Sequence, residues 1–297
     1  MVESTTTIYD VARVAGVSMA TVSRVVNGNA NVKEKTRQKV LEAIAELDYR
    51  PNAVARGLAS KRTTTVGVIL PTITSTYFVA ITRGVDDIAS MYKYNMILAN
   101  SDNDVEKEEK VLETFLSKQV DGIVYMGSSL DEKIRTSLKN SRTPVVLVGT
   151  IDGDKEIPSV NIDYHLAAYQ SIKKLIDSGN KKIAYIMGSL KDVENTERMV
   201  GYQEALLEAN IEFDENHVFE GNYSYEQGKA LAERLLERGA TSAVVSHDTV
   251  AVGLLSAMMD KGVKVPEDFE IISGANSPIT QYTYPTLTSV NQPLYDL

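Results

Sequence analysis

Short apolar runs alternate with longer amphipathic stretches from Thr65 onward. The runs have the length of buried strands, and the stretches between them repeat their apolar residues with the period of a helix. This alternation indicates strand-helix-strand units, which form parallel sheets through right-handed crossovers. The first series predicts strands at 66–70, 96–99, 122–126 and 145–148, with helices near 77–92, 104–118 and 131–140.

A second series follows the crossing Ile157-Pro158-Ser159-Val160. It predicts helices at 164–178, 193–210, 225–238 and 248–261, and strands at 182–187, 216–220, 243–246 and 269–272. Two such series in tandem predict two α/β lobes with a cleft between them. Ligands of open parallel sheets bind beyond the carboxyl ends of the strands, so a site is expected at the loops after Leu70, Ala99, Met126, Met187 and Ser246.

The first 50 residues have a different pattern, with three short helices. Thr7 followed by Asp10 predicts a helix start, and Ala15-Gly16 predicts a tight turn at its end. Ser18 is placed to cap a second helix that ends at Asn27-Gly28. A third helix is expected over 32–47, with Val40, Leu41, Ile44 and Leu47 on one face. The first two helices, joined by a turn that contains glycine, are typical of a helix-turn-helix.

The second helix of such a unit enters the major groove of DNA. Its exposed positions are Met19, Ala20, Ser23 and Arg24, between the inward-facing Thr21, Val22, Val25 and Val26. A guanidinium donates two hydrogen bonds to guanine, and apolar side chains contact the methyl group of thymine. The alternative is a surface helix that carries one solvated arginine and binds nothing.

Residues 51–60 form a short, alanine-rich segment. It begins with Pro51 and is followed by Lys61-Arg62. Such a segment is too short to be a stable helix alone in water, and it would fold only when a partner holds it. Leu58 is then available as an apolar wedge for a base step in the minor groove. The alternative is a plain linker in which Leu58 packs against the next domain.

Charge is unevenly distributed in this chain of 297 residues, whose formal net charge is −9. Residues 1–62 hold ten Lys/Arg and six Asp/Glu, a net charge of +4, and the rest hold 21 and 34, a net charge of −13. A basic head on an acidic body suits docking on phosphates. The chain has no cysteine, and its N-terminus resembles neither a signal peptide nor a membrane span, so a cytoplasmic protein without membrane contact is expected.

Catalytic signals are weak. The three histidines, His165, His217 and His247, lie far apart and show no metal-ligand spacing, so neither a metal nor a cofactor is expected. Gly221 and Gly228-Lys229 enclose six residues where a phosphate-binding loop has four. Asp248 opens a helix and is interpreted as a cap and not as a general base. The sequence favours a binding protein over an enzyme.

Several segments together resemble the lactose/galactose repressor family of bacterial regulators, and the likeness extends over nearly the whole chain. The segments are Thr7-Ile8-Tyr9-Asp10-Val11-Ala12, Val17-Ser18-Met19-Ala20-Thr21-Val22-Ser23-Arg24-Val25-Val26-Asn27, Tyr49-Arg50-Pro51-Asn52-Ala53-Val54-Ala55-Arg56-Gly57-Leu58, Val120-Asp121-Gly122-Ile123, Arg198-Met199-Val200-Gly201-Tyr202 and Pro285-Thr286-Leu287-Thr288-Ser289-Val290. The resemblance implies a helix-turn-helix head (1–50), a hinge helix (51–62) and a two-lobed core of parallel sheets like that of periplasmic binding proteins. The first lobe would be 63–161, completed by 291–297, and the second 162–290.

The resemblance also implies a function and a set of site residues. A homodimer would bind a pseudo-palindromic operator in double-stranded DNA and mediate carbon catabolite repression or activation. Its effectors would be the phosphocarrier HPr phosphorylated on a serine and sugar phosphates in the cleft; the alternative is a sugar-operon repressor that answers only to a small molecule. The implied residues are Ser18, Met19, Ala20, Thr21, Ser23 and Arg24 in the major groove; Tyr9, Asn52, Ala53, Arg56, Leu58 and Ala59 on phosphates and in the minor groove; Tyr77, Arg198, Asp248 and Asn276 in the effector cleft; and Tyr295 and Asp296 at the corepressor.

Two departures from the family pattern change these expectations. The segment Ser273-Gly274-Ala275-Asn276 lacks the aspartate that many relatives carry there, which favours a protein corepressor over a neutral sugar. The sequence ends at Leu297, where relatives add a helix and a strand; Tyr295 and Asp296 match the start of that helix, and its later arginines are absent. An unfinished sheet edge and a weakened corepressor response are therefore expected.

Overall fold

The computed structural model describes residues 6–50, 62–127 and 130–297. The chain divides into two compact units, Met1–Thr63 and Thr64–Leu297. The hinge helix predicted within 51–62, with Leu58 as its wedge, lies outside the described residues except for Arg62.

The first unit contains the three predicted helices, α1 (Ile8–Ala15), α2 (Met19–Val26) and α3 (Glu34–Glu46). Both predicted caps are confirmed: the Thr7 backbone N–H donates to Asp10 Oδ2 at 3.0 Å, and Ser18 Oγ accepts from the Thr21 N–H at 3.3 Å. Gly16 ends α1 with a φ of +66°, a left-handed conformation that side chains disfavour. The turn that brings α2 across α1 therefore depends on this glycine.

The three helices enclose an apolar core of their own. Its buried members are Val11, Ala12, Ala15, Val22, Val25, Val40 and Ala43. The prediction that Leu41 shares this buried face is wrong, because Leu41 is 47% exposed. The face of α3 that packs on this core carries Val40, Ala43, Ile44 and Leu47, which repeat with the helical period. Position 41 lies 100° around the helix from position 40 and therefore leaves that face.

The second unit begins with a five-stranded parallel sheet. Its elements are β1 (Thr65–Leu70), α4 (Thr76–Met91), β2 (Asn95–Asn100), α5 (Val105–Ser117), β3 (Gly122–Tyr125), α6 (Glu132–Asn140), β4 (Val145–Val148) and β5 (Ser159–Val160). The strand order is β2-β1-β3-β4-β5. Apolar clusters cover both faces: α5 and α6 contribute to one, and α4 contributes to the other. The predicted parallel α/β class is confirmed.

A second parallel sheet follows. Its elements are α7 (Tyr164–Asp177), β6 (Ile183–Met187), α8 (Val193–Glu208), β7 (Val218–Glu220), α9 (Tyr225–Glu237), β8 (Ser242–Val245), α10 (Asp248–Asp260), β9 (Glu270–Ser273) and β10 (Thr288–Ser289), in the strand order β10-β9-β8-β6-β7. The predicted strand 216–220 is shorter, because Glu215–His217 form a turn of 3₁₀ helix capped by Asp214. The two residues of β10 are too few to give a sequence pattern.

Helix pairs cover the two faces of this sheet. Helices α7 and α8 lie on one face, and α9 and α10 on the other. A Cβ atom on Gly228 would lie 2.0 Å from the Val250 carbonyl oxygen, and one on Gly253 would lie 2.1 Å from the Tyr225 carbonyl oxygen. Helices α9 and α10 therefore cross in direct backbone contact. Gly228 serves this packing inside α9, in agreement with the conclusion that its segment is not a phosphate-binding loop.

Within the described residues, the chain passes between the two lobes twice. It crosses first between β5 and α7, and it returns after β10. Val290 still packs against the second lobe, whereas Leu294 is buried with Val68, Leu70 and Ile81 in the first. The carboxyl ends of both sheets consequently border a common cleft.

Candidate DNA-binding surface and effector cleft

Helix α2 presents a polar face on an apolar anchor. Val22 and Val25 are buried in the head, and Met19, Ala20 and Arg24 are exposed. At the start of the helix, Ser18 Oγ and Thr21 Oγ1 lie 2.9 Å apart. Ser23 lies in the middle of the helix. Met19, Ala20 and Arg24 thus have the predicted exposure, whereas Ser23, predicted to be exposed, is half-buried. The DNA contacts of these residues stay a prediction.

The start of α1 adds an exposed aromatic side chain to the head. Tyr9 is 67% exposed, next to the capping interaction of Asp10. The side-chain hydrogen bond from Thr7 lowers the pKa of Asp10, which keeps this carboxylate charged and directed at the helix N-terminus. Five of the residues predicted at the minor groove or phosphates lie outside the described residues: Asn52, Ala53, Arg56, Leu58 and Ala59.

The cleft between the two lobes of the body has a volume of about 350 Å³, the size of a small-molecule site. Residues after β1, β2, β3 and β8 line it, as the sequence predicts, whereas the predicted loop directly after Met187 does not. Residues after β4, β7 and β9 line it as well. The first lobe contributes Tyr77 on α4, and the second contributes Arg198 on α8. The aromatic side chains of Phe78, Tyr164 and Tyr223 also line it.

Arg198 is held in a fixed orientation. Its guanidinium stacks on the Tyr164 ring at 4.3 Å, and its Nη1 donates to Asn195 Oδ1 at 2.9 Å. The amide nitrogen of Asn195 in turn donates to the Ser189 carbonyl and to the Tyr223 hydroxyl. A planar guanidinium stacked in this way keeps donors free for a ligand that accepts hydrogen bonds.

Glu194 and His247 also line the cleft, and the sequence interpretation missed both as site residues. Burial raises the pKa of Glu194 to about 7. Burial lowers the pKa of His247, whose ring lies 5.2 Å from that of Tyr223. The spacing of Glu194, one helical turn before Arg198, was the available signal, because residues four apart share a helix face.

Asp248 has a structural task that the sequence interpretation did not foresee. It is 3% exposed, and it accepts hydrogen bonds from the Ser273 hydroxyl, the Ala275 N–H at 3.1 Å and the Ser277 N–H at 2.6 Å. The helix cap is the preceding residue, His247. The expectation that Asp248 caps α10 is corrected, because its carboxylate instead fixes the loop that follows β9. Its contact with an effector stays a prediction.

Asn276 is another predicted effector residue, and its contact with an effector stays a prediction. Its Nδ2 donates to Asn291 Oδ1 at 3.0 Å, and its Oδ1 accepts from Ser289 Oγ at 2.9 Å. Both ends of the amide therefore connect two loops of the second lobe. The neighbouring Ala275 is the residue of this loop that reaches the cleft.

The predicted corepressor residues lie on the surface of the first lobe. Tyr295 and Asp296 are exposed, and the Tyr295 hydroxyl donates to Asp87 Oδ2 on α4 at 2.7 Å. Asp87 also pairs with Arg83 Nε at 3.4 Å. These contacts hold the Tyr295 ring in one orientation, at the border of an apolar groove along α4.

Two other kinds of feature are absent from the described part of the chain. No helix of residues 6–50, 62–127 and 130–297 is long and apolar enough to cross a membrane. The same residues contain no cluster of His, Asp and Glu with the geometry of a metal site.

The fold and its cleft define a class of protein. A helix-turn-helix head, joined in one chain to a two-lobed α/β body with a ligand-sized cleft, is the arrangement of an effector-responsive DNA-binding regulator. Residues 7–52 match the family described as bacterial regulatory proteins, lacI family. Residues 63–293 match the periplasmic binding proteins and sugar binding domain of the LacI family.

Individual relatives agree with these matches. The catabolite control protein A of Streptococcus mutans serotype c is 55% identical over 296 residues, which cover 99% of this chain and 89% of the relative. The crystal structure of the transcription regulator CcpA of Lactococcus lactis is 99% identical, with a TM-score of 0.78, over 79% of this chain and 87% of that one. The lac repressor dimer bound to operator and the anti-inducer ONPF superimposes with a TM-score of 0.88 at 26% identity, over 98% of this chain and 89% of that one. The chain belongs to the LacI family of bacterial transcription regulators.

Proposed function

We propose that this chain mediates carbon catabolite repression or activation by binding a pseudo-palindromic operator as a homodimer, under the control of serine-phosphorylated HPr and sugar phosphates. The observation that carries the proposal is the exposed face of α2, anchored by buried Val22 and Val25. The names of the similar regulators, catabolite control protein A and CcpA, support the regulatory role. The operator-bound lac repressor dimer supports binding as a dimer.

The proposed contacts follow from the chemistry of each side chain. Arg24 reads a guanine, and Met19 and Ala20 contact a thymine methyl group. The hydroxyl groups of Ser18, which caps α2, and of Thr21 and Ser23 within α2 bind base edges or phosphates. Tyr9, Asn52 and Arg56 bind the phosphate backbone, and Ala53, Leu58 and Ala59 enter the minor groove.

Replacing Arg24 with glutamine is expected to weaken operator binding by about 10- to 100-fold, because a bidentate arginine–guanine contact contributes about 1–3 kcal/mol. The loss should be smaller on a scrambled duplex, to which Arg24 contributes only charge. Fluorescence anisotropy with labelled duplexes measures both affinities.

Lys39→Gln is the matched control, because it removes one positive charge from an exposed position of α3. It should weaken binding to both duplexes by the same small factor. Equal losses for the two variants on the operator would contradict base reading by Arg24.

The cleft supports control by a small ligand. Its stacked Arg198 and its tyrosine hydroxyl groups suit the phosphate and hydroxyl groups of a sugar phosphate. A ligand that binds one arrangement of the lobes more tightly increases the fraction of molecules in that arrangement. This shift changes the affinity of the protein for DNA. Serine-phosphorylated HPr is proposed to contact Tyr295 and Asp296, where the aromatic ring is already fixed by Asp87.

A second candidate is a sugar-operon repressor that answers to a small molecule alone. The cleft volume and its aromatic walls favour it, since tyrosine rings stack on sugars as they stack on cations. The two functions differ in their effector: release of the operator by a neutral sugar would support this second candidate, and stronger operator binding with serine-phosphorylated HPr would support the first.

A further inference from the structure

Glu194 separates two cavities of the body. It lies in the first turn of α8 and is 5% exposed. On one side it lines the effector cleft. On the other it lines a polar cavity of about 210 Å³, the side pocket, whose walls include Arg135, Asp152, Asp154 and Lys191. Arg198, four residues later, lies on the same face of the helix. The carboxyl group thus borders the space in which a ligand would meet that guanidinium.

The cationic side chains near Glu194 either contact other groups or lie in solvent. Arg198 donates to Asn195 Oδ1 and stacks on Tyr164. In the side pocket, Arg135 pairs with Asp152 and Asp154 at 2.7 Å each, and with Glu156 at 2.6 Å. Lys191 is exposed to solvent. Within the described residues, Glu194 forms no ion pair. The Arg198 charge lowers the pKa of Glu194 by less than burial raises it.

The other titratable groups around the two cavities have defined charges. Burial raises the pKa values of Tyr77, Tyr164 and Tyr223, which are neutral near pH 7. Burial lowers the pKa of His247, which favours its neutral form. Burial also raises the pKa of Asp192, next to the side pocket. Asp248 and Glu132 complete the acidic groups, the first fixed in the loop after β9 and the second exposed on α6.

We propose that the protonation state of Glu194 controls the affinity of the cleft for anions, so that an anionic ligand at Arg198 binds more tightly below neutral pH. The proposal rests on the proposed function of the cleft as a site for sugar phosphates. A carboxylate at this position neutralises part of the Arg198 charge and repels the ligand, and a neutral carboxyl group does neither. The pKa of about 7 places the change within the physiological range.

Inorganic sulfate is the probe, because it stays a dianion between pH 6 and pH 8, whereas phosphate esters titrate with a pKa of about 6. Isothermal titration calorimetry at constant ionic strength gives the dissociation constants of the full chain. If only the protonated form binds, a group with a pKa of about 7 makes binding about tenfold tighter at pH 6 than at pH 8.

Glu194→Gln is expected to bind sulfate equally at both pH values, with about the pH 6 affinity of the original protein. The matched control is Glu197→Gln, an exposed position on the same helix, and it should retain the pH dependence. The profile of the unaltered protein tests the proposal even if a variant folds poorly.

Two results would overturn the proposal and leave the cleft function intact: sulfate binding that does not vary with pH, or a pH dependence that persists in Glu194→Gln and so belongs to His247 or Asp192. No sulfate binding to the original protein at either pH would overturn the proposal together with the assignment of the cleft to anionic effectors.

Discussion

Replacing Asp248 with alanine is expected to lower the free energy of unfolding of the body by about 4 kcal/mol. The carboxylate is buried and accepts from the backbone N–H groups of Ala275 and Ser277 and from the hydroxyl groups of Ser273 and Ser277. Alanine leaves these donors buried without an acceptor, and each unsatisfied group costs about 1–3 kcal/mol, more when the lost partner was charged. Urea denaturation followed by circular dichroism measures the loss.

Asp260→Ala is the matched control, since it removes a carboxylate from the exposed end of the same helix. It should change stability by less than about 0.5 kcal/mol. A comparable stability for the two variants would show that the loop after β9 does not depend on Asp248.

Replacing Glu194 with glutamine is expected to make the protein more stable above neutral pH. The pKa of Glu194 rises from an ordinary value of 4.5 to about 7 in the folded chain. Between these values the folded state holds a proton that the unfolded state has released, so its stability decreases as the pH rises through this range. The full difference, present above about pH 8, is about 3 kcal/mol.

Glutamine has no charge to desolvate, so the variant should match the original protein near pH 4.5 and exceed it by up to about 3 kcal/mol at pH 8. Thermal or urea unfolding across this range measures the difference, with Glu197→Gln as the control of equal charge change. A stability difference that is independent of pH would mean that the carboxyl of Glu194 titrates normally.

The fold was accessible from the sequence because its signals are local. Apolar runs of strand length separated by amphipathic stretches are sufficient to indicate parallel α/β lobes. In the head, Thr7 and Ser18 act as caps within three residues, and Gly16 ends α1 by its backbone conformation alone. The exposed face of α2 follows from the period of the valines beneath it.

The site was less accessible because it depends on residues far apart in sequence. Asp248 looks like a cap until the loop at Ser277 is seen to fold onto it, 29 residues later. The side-chain amide of Asn276 bonds Ser289 and Asn291, 13 and 15 residues later, which the local sequence does not indicate. Glu194 lines two cavities whose walls come from both lobes, and the neighbouring sequence does not indicate the burial that raises its pKa.

Operator-specific binding under effector control is tested most directly by fluorescence anisotropy with a catabolite-responsive operator duplex and a scrambled one, across salt concentrations, with and without serine-phosphorylated HPr. We expect the operator to be bound at least about 1,000-fold more tightly than the scrambled duplex, and more tightly still with the corepressor. Equal affinity for the two duplexes, with a steep salt dependence and no response to the corepressor, would show binding to phosphates alone and contradict the account.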